Sequence, residues 1–181
     1  PPHFFEVELR HVTRVKNDLL MNPEEIRAYL SQVGPVPISP AFTFRDQIEE
    51  YLRYHGIDSG IQILLTGEEE PIYRPFKDSF EITKNIHDSF TGIEFIEIPG
   101  IEGTKDAVGW ILHHSYYGAL PRRSGLSGIR LRNGNIQVGG HNILDGFFSE
   151  VRFNSWCVGE LHVLSEKIIP NGRRDDFELN A

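Results

Sequence analysis

The sequence is short of cysteine, of long apolar runs and of positive charge. Cys157 is the single cysteine among 181 residues, which excludes an internal disulfide and makes a reducing compartment, most simply the cytoplasm, the expected location. No stretch approaches the roughly 20 apolar residues that cross a bilayer. The formal net charge is −8, from 18 basic and 26 acidic side chains, so we expect neither nucleic acid nor a membrane as a partner. Any anion-binding site must be local.

Motifs that bind nucleotides or metals are also missing. The sequence has no glycine-rich loop ending in Lys-Ser or Lys-Thr, no Gly-x-Gly-x-x-Gly after a strand, and no paired-cysteine zinc spacing. We therefore expect this chain alone to bind no cofactor and no metal. Its 39% hydrophobic and 24% charged residues are nevertheless those of an ordinary folded protein with a real core.

Two amphipathic helices are predicted in the first third of the chain. "NPEEIRAYLSQVG" offers Asn22 as N-cap, Pro23 at the first helical position and Gly34 after the last turn. Residues 44–55, closed by Gly56, carry a second helical pattern. The predicted buried stripes are Ile26, Tyr29, Leu30 and Val33 in the first helix and Ile48, Tyr51 and Leu52 in the second.

Strands are predicted from the residue pattern over most of the remaining chain. The predicted ranges are 5–9, 61–66, 71–74, 92–98, 107–114 and 157–164. "GIRLRNGNIQVGG" predicts a hairpin whose turn contains Asn133 and Gly134, and residues 147–153 fit either a short helix or a loop. Because helices come early and strands late, we predict an α+β fold in which helices cover one face of a mixed or antiparallel sheet.

Histidines supply two candidate sites. "HHSYYG" places His113 and His114 beside Tyr116, and these residue types can act as acid, base or metal ligand. Adjacent strand residues face opposite sides of a sheet, however, so aromatic packing is favoured over a small hydrolase site. Glu160 and His162 share one strand face, and we interpret them as a cross-face pair on a solvated strand.

A thiol nucleophile is a further candidate. Cys157 and His141 could in principle form a nucleophile and its base. Cys157 follows a tryptophan at the start of an apolar strand, with no feature that would lower its pKa. We therefore predict a buried, inert thiol.

Two basic turns are the most distinctive local feature. Arg122 and Arg123 follow a proline, and Arg173 and Arg174 follow Asn171 and a glycine. Arginine binds phosphate or carboxylate through its planar fork. From the residues alone, the second pair could bind an anion or simply neutralise the two aspartates that follow it.

The segment "FNSWCVGELHVLSEKIIPNGRRDDFE" resembles the end of the middle, or transducer, domain of bacterial ATP-binding proteins related to the heat-shock-protein-90 chaperones, in the GHKL ATPase superfamily. "LLMNPEEIRAYLSQVGPVPISPAF", "PIYRPFKDSF" and "GIRLRNGNIQVGG" resemble the region of those proteins that follows the nucleotide domain. The resemblance implies a ribosomal-protein-S5-domain-2-like fold. Residues 1–90 would supply a strand, two helices and linking strands after a missing nucleotide domain, and residues 91–181 the S5-domain-2-like transducer region.

The resemblance also implies a site. In the chaperones an arginine reaches from the middle domain to the γ-phosphate of ATP, and the motif match assigns that role to Arg174, with Arg173 and Asn171 as accessory residues. Mg-ATP is then the expected cofactor of a full-length parent ATPase, and the missing nucleotide domain is the expected partner. Protein clients and a homodimer are compatible with the same family.

Two departures from the family shape this expectation. The superfamily's Glu and Asn helix and its Asp-x-Gly-x-Gly loop are missing, and long client-binding elements are not evident. With no methionine at its start, the sequence is expected to be a piece of a longer chain that is inactive alone. The alternative is a stand-alone interaction module that recognises acidic or phosphorylated partners through Arg122, Arg123, Arg173 and Arg174, without any link to ATP.

Overall fold

A computed structural model describes residues 22–58 and 60–178, together with positions 6, 8, 10, 11 and 13. Of the strand predicted over residues 5–9, positions 5, 7 and 9 lie outside the described residues, so the prediction is not tested. Across the described ranges the chain forms two α-helices, seven strands and several short 3-10 helices. None of the helices in these ranges has the length and hydropathy that a membrane span requires.

The first helix, α1 (Pro23–Val33), begins where its sequence predicts. The Asn22 side-chain oxygen accepts hydrogen bonds from the backbone N–H groups of Glu24, at 3.0 Å, and Glu25, at 3.4 Å, which satisfies two donors that the helix itself cannot. The predicted buried stripe is only half-buried. Ile26, Leu30 and Val33 are half-buried, whereas Tyr29 is 64% exposed, so its predicted burial is wrong.

The second helix, α2 (Arg45–Tyr54), confirms its prediction more closely. Ile48 and Leu52 are buried, and Gly56 takes a left-handed φ of 76° just after the helix, a conformation that glycine adopts at little cost. Glu49 is also buried on this helix, where it accepts a hydrogen bond from Arg45 at 3.1 Å.

Two sheets follow the helices. The first is a hairpin that the sequence reading missed, formed by β1 (Ser79–Thr83) and β2 (Ile86–Ser89). The second has five strands in the order β3-β4-β7-β5-β6. Their bounds are β3 Gly92–Pro99, β4 Lys105–His113, β5 Gly128–Asn133, β6 Ile136–Val138 and β7 Val158–Val163.

The larger sheet is mixed. β5 and β7 run parallel, and the other neighbouring strands are antiparallel. The predicted α+β class with a mixed sheet is therefore confirmed. β7 is the central strand, and it joins the β3–β4 pair to the β5–β6 pair.

The β5–β6 hairpin is confirmed with its turn displaced by one residue. Asn133 pairs with Ile136 across the hairpin, so the two turn residues are Gly134 and Asn135, with φ of 56° and 62°. A two-residue turn of this kind needs positive φ at both positions, and glycine and asparagine are the residues that tolerate it. Asn133 thus ends the strand instead of opening the turn.

The strands predicted over 61–66 and 71–74 are not formed. These segments form no strand ladder, and isolated backbone hydrogen bonds hold them in place, from Ile61 N to Pro35 O and from Ile72 N to Ile63 O, each at 2.8 Å. Pro35, Pro37 and Pro71 lie in the adjoining segments, and a proline cannot donate to a strand ladder.

One face of the mixed sheet carries the core. Val108, Trp110 and Leu112 alternate along β4 and are completely buried. Trp110 and Leu112 belong to one cluster with Ile48 and Leu52 of α2, and Tyr51 stacks on Phe95 of β3 at 4.2 Å between ring centroids. Because the C-terminal end of α1 also bonds to this face, the described helices both cover it. The 3-10 helix Asp145–Phe147 lies against the opposite face.

Candidate functional site

Residues 170–177, which we call the arginine loop, form a closed turn after β7. Pro170 and Phe177 form an isolated bridge, and Asn171 N donates to Asp176 O at 2.9 Å. The Asn171 side-chain oxygen accepts from the backbone N–H groups of Arg173 and Asp175, both at 3.2 Å. Asparagine commonly shapes turns in this way, so Asn171 determines the path of the loop.

Arg174 fixes this loop to the β5–β6 hairpin. Its Nη2 donates to Asn133 O at 3.0 Å, and its own carbonyl accepts from Gly139 N at 2.8 Å. The residue is half-buried and has a left-handed φ of 57°. Backbone strain of this kind persists only where surrounding contacts determine the conformation, and the two hydrogen bonds supply such contacts. The bond to Asn133 O directs the guanidinium of Arg174 toward the end of β5.

Arg173 is arranged differently. Its side chain is exposed, and across the described residues its guanidinium makes no hydrogen bond or ion pair. The neighbouring aspartates are engaged by other groups, because Asp175 accepts from Asn171 Nδ2 at 2.6 Å and Asp176 from Phe177 N at 2.8 Å. Neutralisation of the arginines by these aspartates, which the sequence left open, is not found in this part of the chain.

The second basic turn lies at the other end of β5. Arg122 and Arg123 begin the 3-10 helix Arg122–Ser124, which precedes Gly128 at the start of that strand. The arginine loop is attached at Asn133, where β5 ends, and β5 spans about 16 Å. Both arginines are exposed, and they line different cavities. The structure therefore does not bring the four predicted arginines into one site.

A buried ionic network lies on the helix-covered face of the sheet. Glu160 on β7 forms ion pairs with Arg74 and with Arg132, whose Nε lies 2.6 Å from the carboxylate. Each of these three residues is at most 4% exposed. Arg74 also donates to Asn135 Oδ1 and to Val36 O. The network thus ties β7 to the hairpin turn and to the segment after α1.

Arg132 extends the network to the first helix. It donates to Gln32 O at 2.8 Å, to Gly34 O at 3.2 Å and to Asn135 O at 3.1 Å. The carbonyls at the C-terminal end of a helix lack intrahelical donors, so a cation is well placed there. One guanidinium thereby connects α1, the hairpin turn and β7.

The ionisation of this network follows from burial and neighbouring charge. Burial alone would raise the pKa of Glu160, but Arg132 and Arg74 outweigh it and hold that pKa far below its usual value. Burial, with Arg132 beside it, lowers the pKa of Arg74 to about 9, and burial lowers the pKa of Arg130 to about 10. All three groups are charged at neutral pH.

His162 lies at the edge of the same network. Its Nε2 is 3.3 Å from Glu160 Oε2, which confirms that the two side chains share a strand face. The expectation of a solvated strand is wrong, since α2 and the segment after α1 cover this face and His162 is only 2% exposed. Burial lowers the pKa of His162, so the neutral ring donates its Nε2 hydrogen to the carboxylate.

The histidines at the end of β4 are separated. Half-exposed His113 contacts Tyr116 Oη at 2.9 Å and Glu94 at 3.2 Å. Buried His114 instead lies 3.1 Å from Asp88 and bonds to Trp156 O at 2.9 Å. The nearby Ser115 hydroxyl donates to Asp88 and not to a histidine. These contacts describe packing, and they assemble no nucleophile with a base.

Cys157 was predicted to be buried, but it is only partly so. It is half-buried, its Sγ lies 3.5 Å from Phe153 O, and burial raises its pKa. His141 supplies no described contact to it. Over the described residues, no group of three or more His, Cys, Asp or Glu side chains is arranged to hold a metal ion.

Comparison with known proteins adds no relative. No protein-family model matches the chain, and no curated protein or solved structure does either.

The buried arginines were missed by sequence reasoning, although a signal for them exists. Arg130 and Arg132 are two residues apart on β5, and Glu160 and His162 have the same spacing on β7. In the structure Arg130 pairs in register with Glu160 and Arg132 with His162. Complementary polar residues at equal spacing in two otherwise apolar strands indicate that those strands are neighbours.

Proposed function

We propose that this chain is a transducer-type module of a GHKL ATPase, which converts ATP binding in a separate nucleotide domain into movement. The arginine loop would contact the γ-phosphate of that ATP. The observation that carries the proposal is the construction of the loop: a tight turn, shaped by Asn171 and anchored by Arg174, that presents the unpaired guanidinium of Arg173. The backbone of the loop is fixed, and positive charge brought to the phosphate stabilises the charge that develops in phosphoryl transfer.

The buried network supports a role in coupling. The loop is attached to Asn133 at the end of β5, and the turn that follows is bonded to Arg74 and Arg132. Arg132 continues to the C-terminal end of α1. A displacement of the arginine loop would therefore be transmitted through these hydrogen bonds to α1, which is the coupling that the proposed function needs. The mixed sheet with helices on one face supports the S5-domain-2-like fold as part of this proposal.

Both arginines of the loop are candidates for the contact with the γ-phosphate. Arg174 is the residue that the motif match assigns to the γ-phosphate. Its Nη2 donates to Asn133 O, and its Nε is buried without a hydrogen-bond partner. Arg173 is exposed and can reach an approaching domain without breaking a described contact. Arg174 as the phosphate contact stays a prediction, with Arg173 as the competing residue.

The test is ATP turnover by the natural gene product. The length of the natural chain is first determined by intact mass. Mg-ATP binding and hydrolysis are then measured for the wild type and for Arg173→Ala and Arg174→Ala. Loss of the phosphate contact is expected to slow turnover by roughly 10³-fold. Arg123→Ala is the matched control, since it removes an exposed arginine at the far end of β5. A gene product that binds no ATP, or turnover unchanged in both loop variants, would overturn the proposal.

A stand-alone interaction module is the second candidate. It is favoured by one observation: exposed Arg122, Arg123 and Arg173 make no described hydrogen bond or ion pair through their side chains. Binding of a phosphorylated peptide would then be lost when all four arginines are replaced by alanine, while ATP has no effect. Retained peptide binding in that variant, or dependence on ATP, would exclude this candidate.

A further inference from the structure

Asn154 is a completely buried junction between three chain segments. Its Oδ1 accepts from Ile129 N at 3.0 Å, and its Nδ2 donates to His141 O at 2.9 Å and to Asp145 Oδ1 at 2.7 Å. One amide thus holds the start of β5, the loop after β6 and the 3-10 helix Val151–Trp156 together. A buried amide with its bonds made fixes the positions of the groups around it.

A cavity of about 430 Å³, which we call the Asn154 cavity, opens beside this junction. Its lining includes Arg122, Arg152 and His141, together with Leu120 and Ser155. Leu120 N donates a hydrogen bond to Ser155 O at 3.0 Å, which joins the two segments that contribute these residues. The volume is within the range of small-molecule sites.

The charged groups of the cavity are largely uncommitted. Arg122 makes no hydrogen bond or ion pair through its side chain within the described residues. Arg152 pairs through Nε with Glu150 at 2.7 Å, but both side chains are more than half exposed, and such surface pairs are weak. Asp145, the one carboxylate lining the cavity, is already bonded to Asn154.

Two arginines and one carboxylate act on the imidazole of His141. Burial lowers the pKa of His141, and Arg130 and then Arg122 lower it further, each acting more strongly than Asp145, which raises it. Two cations therefore dominate the one carboxylate at the imidazole. A bound anion would reverse this effect and stabilise the imidazolium.

From this arrangement we propose that the Asn154 cavity binds the phosphoryl group of a small phosphorylated molecule, with Arg122, Arg152 and His141 as its ligands. Arginine forks suit phosphate oxygens, and Leu120 and Val151 offer an apolar surface to the body of the molecule. The site is separate from the arginine loop and does not depend on the ATP-linked function, so either proposal can fail alone.

NMR titration of the histidine ring protons tests the site, with inorganic phosphate and phenyl phosphate as probes and constant ionic strength maintained with chloride. His141→Gln assigns the His141 signal. Both probes are expected to raise the pKa of His141. The NMR signals of exposed His87, which lies in the cavity beside Arg123, should not move when the probes are added. Phenyl phosphate is expected to bind more tightly than phosphate.

Variants sharpen the result. Arg122→Ala and Arg152→Ala each remove one charged ligand and are expected to weaken binding about tenfold or more. Glu150→Gln frees Arg152 and is expected to tighten binding, an effect that general damage would not produce. Arg53→Ala is the control, because it removes an exposed arginine on α2 that does not line the cavity, and it should change nothing. Absence of a His141 shift at millimolar phosphate, or an equal loss with Arg53→Ala, would overturn the proposal.

Discussion

Arginine serves opposite purposes in two regions of this molecule. In the buried network, Arg132 donates to one carboxylate and three backbone carbonyls. At the surface, Arg122 and Arg173 make no described side-chain hydrogen bond or ion pair. The first arrangement satisfies the guanidinium within the protein, and the second leaves it without a partner among the described residues. The hydrogen-bond partners of an arginine, and not its presence in a motif, therefore identify a structural cation.

The largest predicted effect is on the buried region. Glu160→Ala would leave Arg74 and Arg132 without their shared counter-charge, and we expect the free energy of unfolding to fall by about 3–5 kcal/mol. Urea denaturation measures it. Glu150→Ala, which breaks the exposed pair with Arg152, should cost less than about 1 kcal/mol. Similar losses of unfolding free energy in the two variants would contradict the difference between the buried and the exposed ion pairs.

The next prediction concerns how the unfolding free energy depends on pH. The folded-state pKa of His162 is lowered from 6.5, so its contribution to stability is present above pH 6.5 and is lost as the pH falls through the folded value. The lowered pKa of Glu160 acts in the same direction from its ordinary value of 4.5 downward. His162→Gln should therefore flatten the decline of the unfolding free energy below pH 6.5.

Exposed His87→Gln is the matched control for that experiment. Its curve of unfolding free energy against pH should have the wild-type slope. An unchanged slope in His162→Gln would show that His162 takes no part in the acid response.

A smaller effect is expected within the arginine loop. Arg174→Ala loses the bond to Asn133 O and should cost about 1 kcal/mol, whereas Arg173→Ala should stay within about 0.5 kcal/mol of the wild type. Arg174→Gly relieves the left-handed backbone at φ 57° and should be more stable than Arg174→Ala. Thermal unfolding ranks the three. Equal stability of the alanine and glycine variants would mean that the strain is absent in solution.

The hairpin turn gives the most local prediction. Gly134 has a φ of 56° with open space around it, so Gly134→Ala should cost about 1 kcal/mol through backbone strain alone. Gly172→Ala, also in open space but without a left-handed φ, is the control. Equal effects of the two changes on the midpoint of urea unfolding would contradict the turn geometry.

Local signals in the sequence predicted the elements that depend on local physics. Asn22 and Gly34 bound α1 because capping involves only neighbouring backbone groups. The hairpin was predicted for the same reason, with its turn one residue early because both Asn133 and Asn135 flank Gly134 and either asparagine could take positive φ.

Tertiary partners decided what local patterns could not. An alternating Ile-Arg-Leu-Arg strand ordinarily places its arginines in solvent, yet Arg130 and Arg132 are buried because Glu160 and the α1 carbonyls lie opposite them. For the arginine loop, the motif located the residues correctly near a turn. It could not reveal that the guanidinium of Arg174 points back to Asn133 and that of Arg173 does not.

The central place of β7 also constrains the order in which the fold can form. The β3–β4 and β5–β6 pairs are each contiguous in the chain, but they meet only through Val158–Val163. On a ribosome, both hairpins are complete before the strand that joins them is synthesised. Glu160 arrives on that strand, so the ion pairs that it forms with Arg74 and Arg132 cannot form before then. Closure of the sheet and formation of these two ion pairs are therefore one late, long-range event in folding.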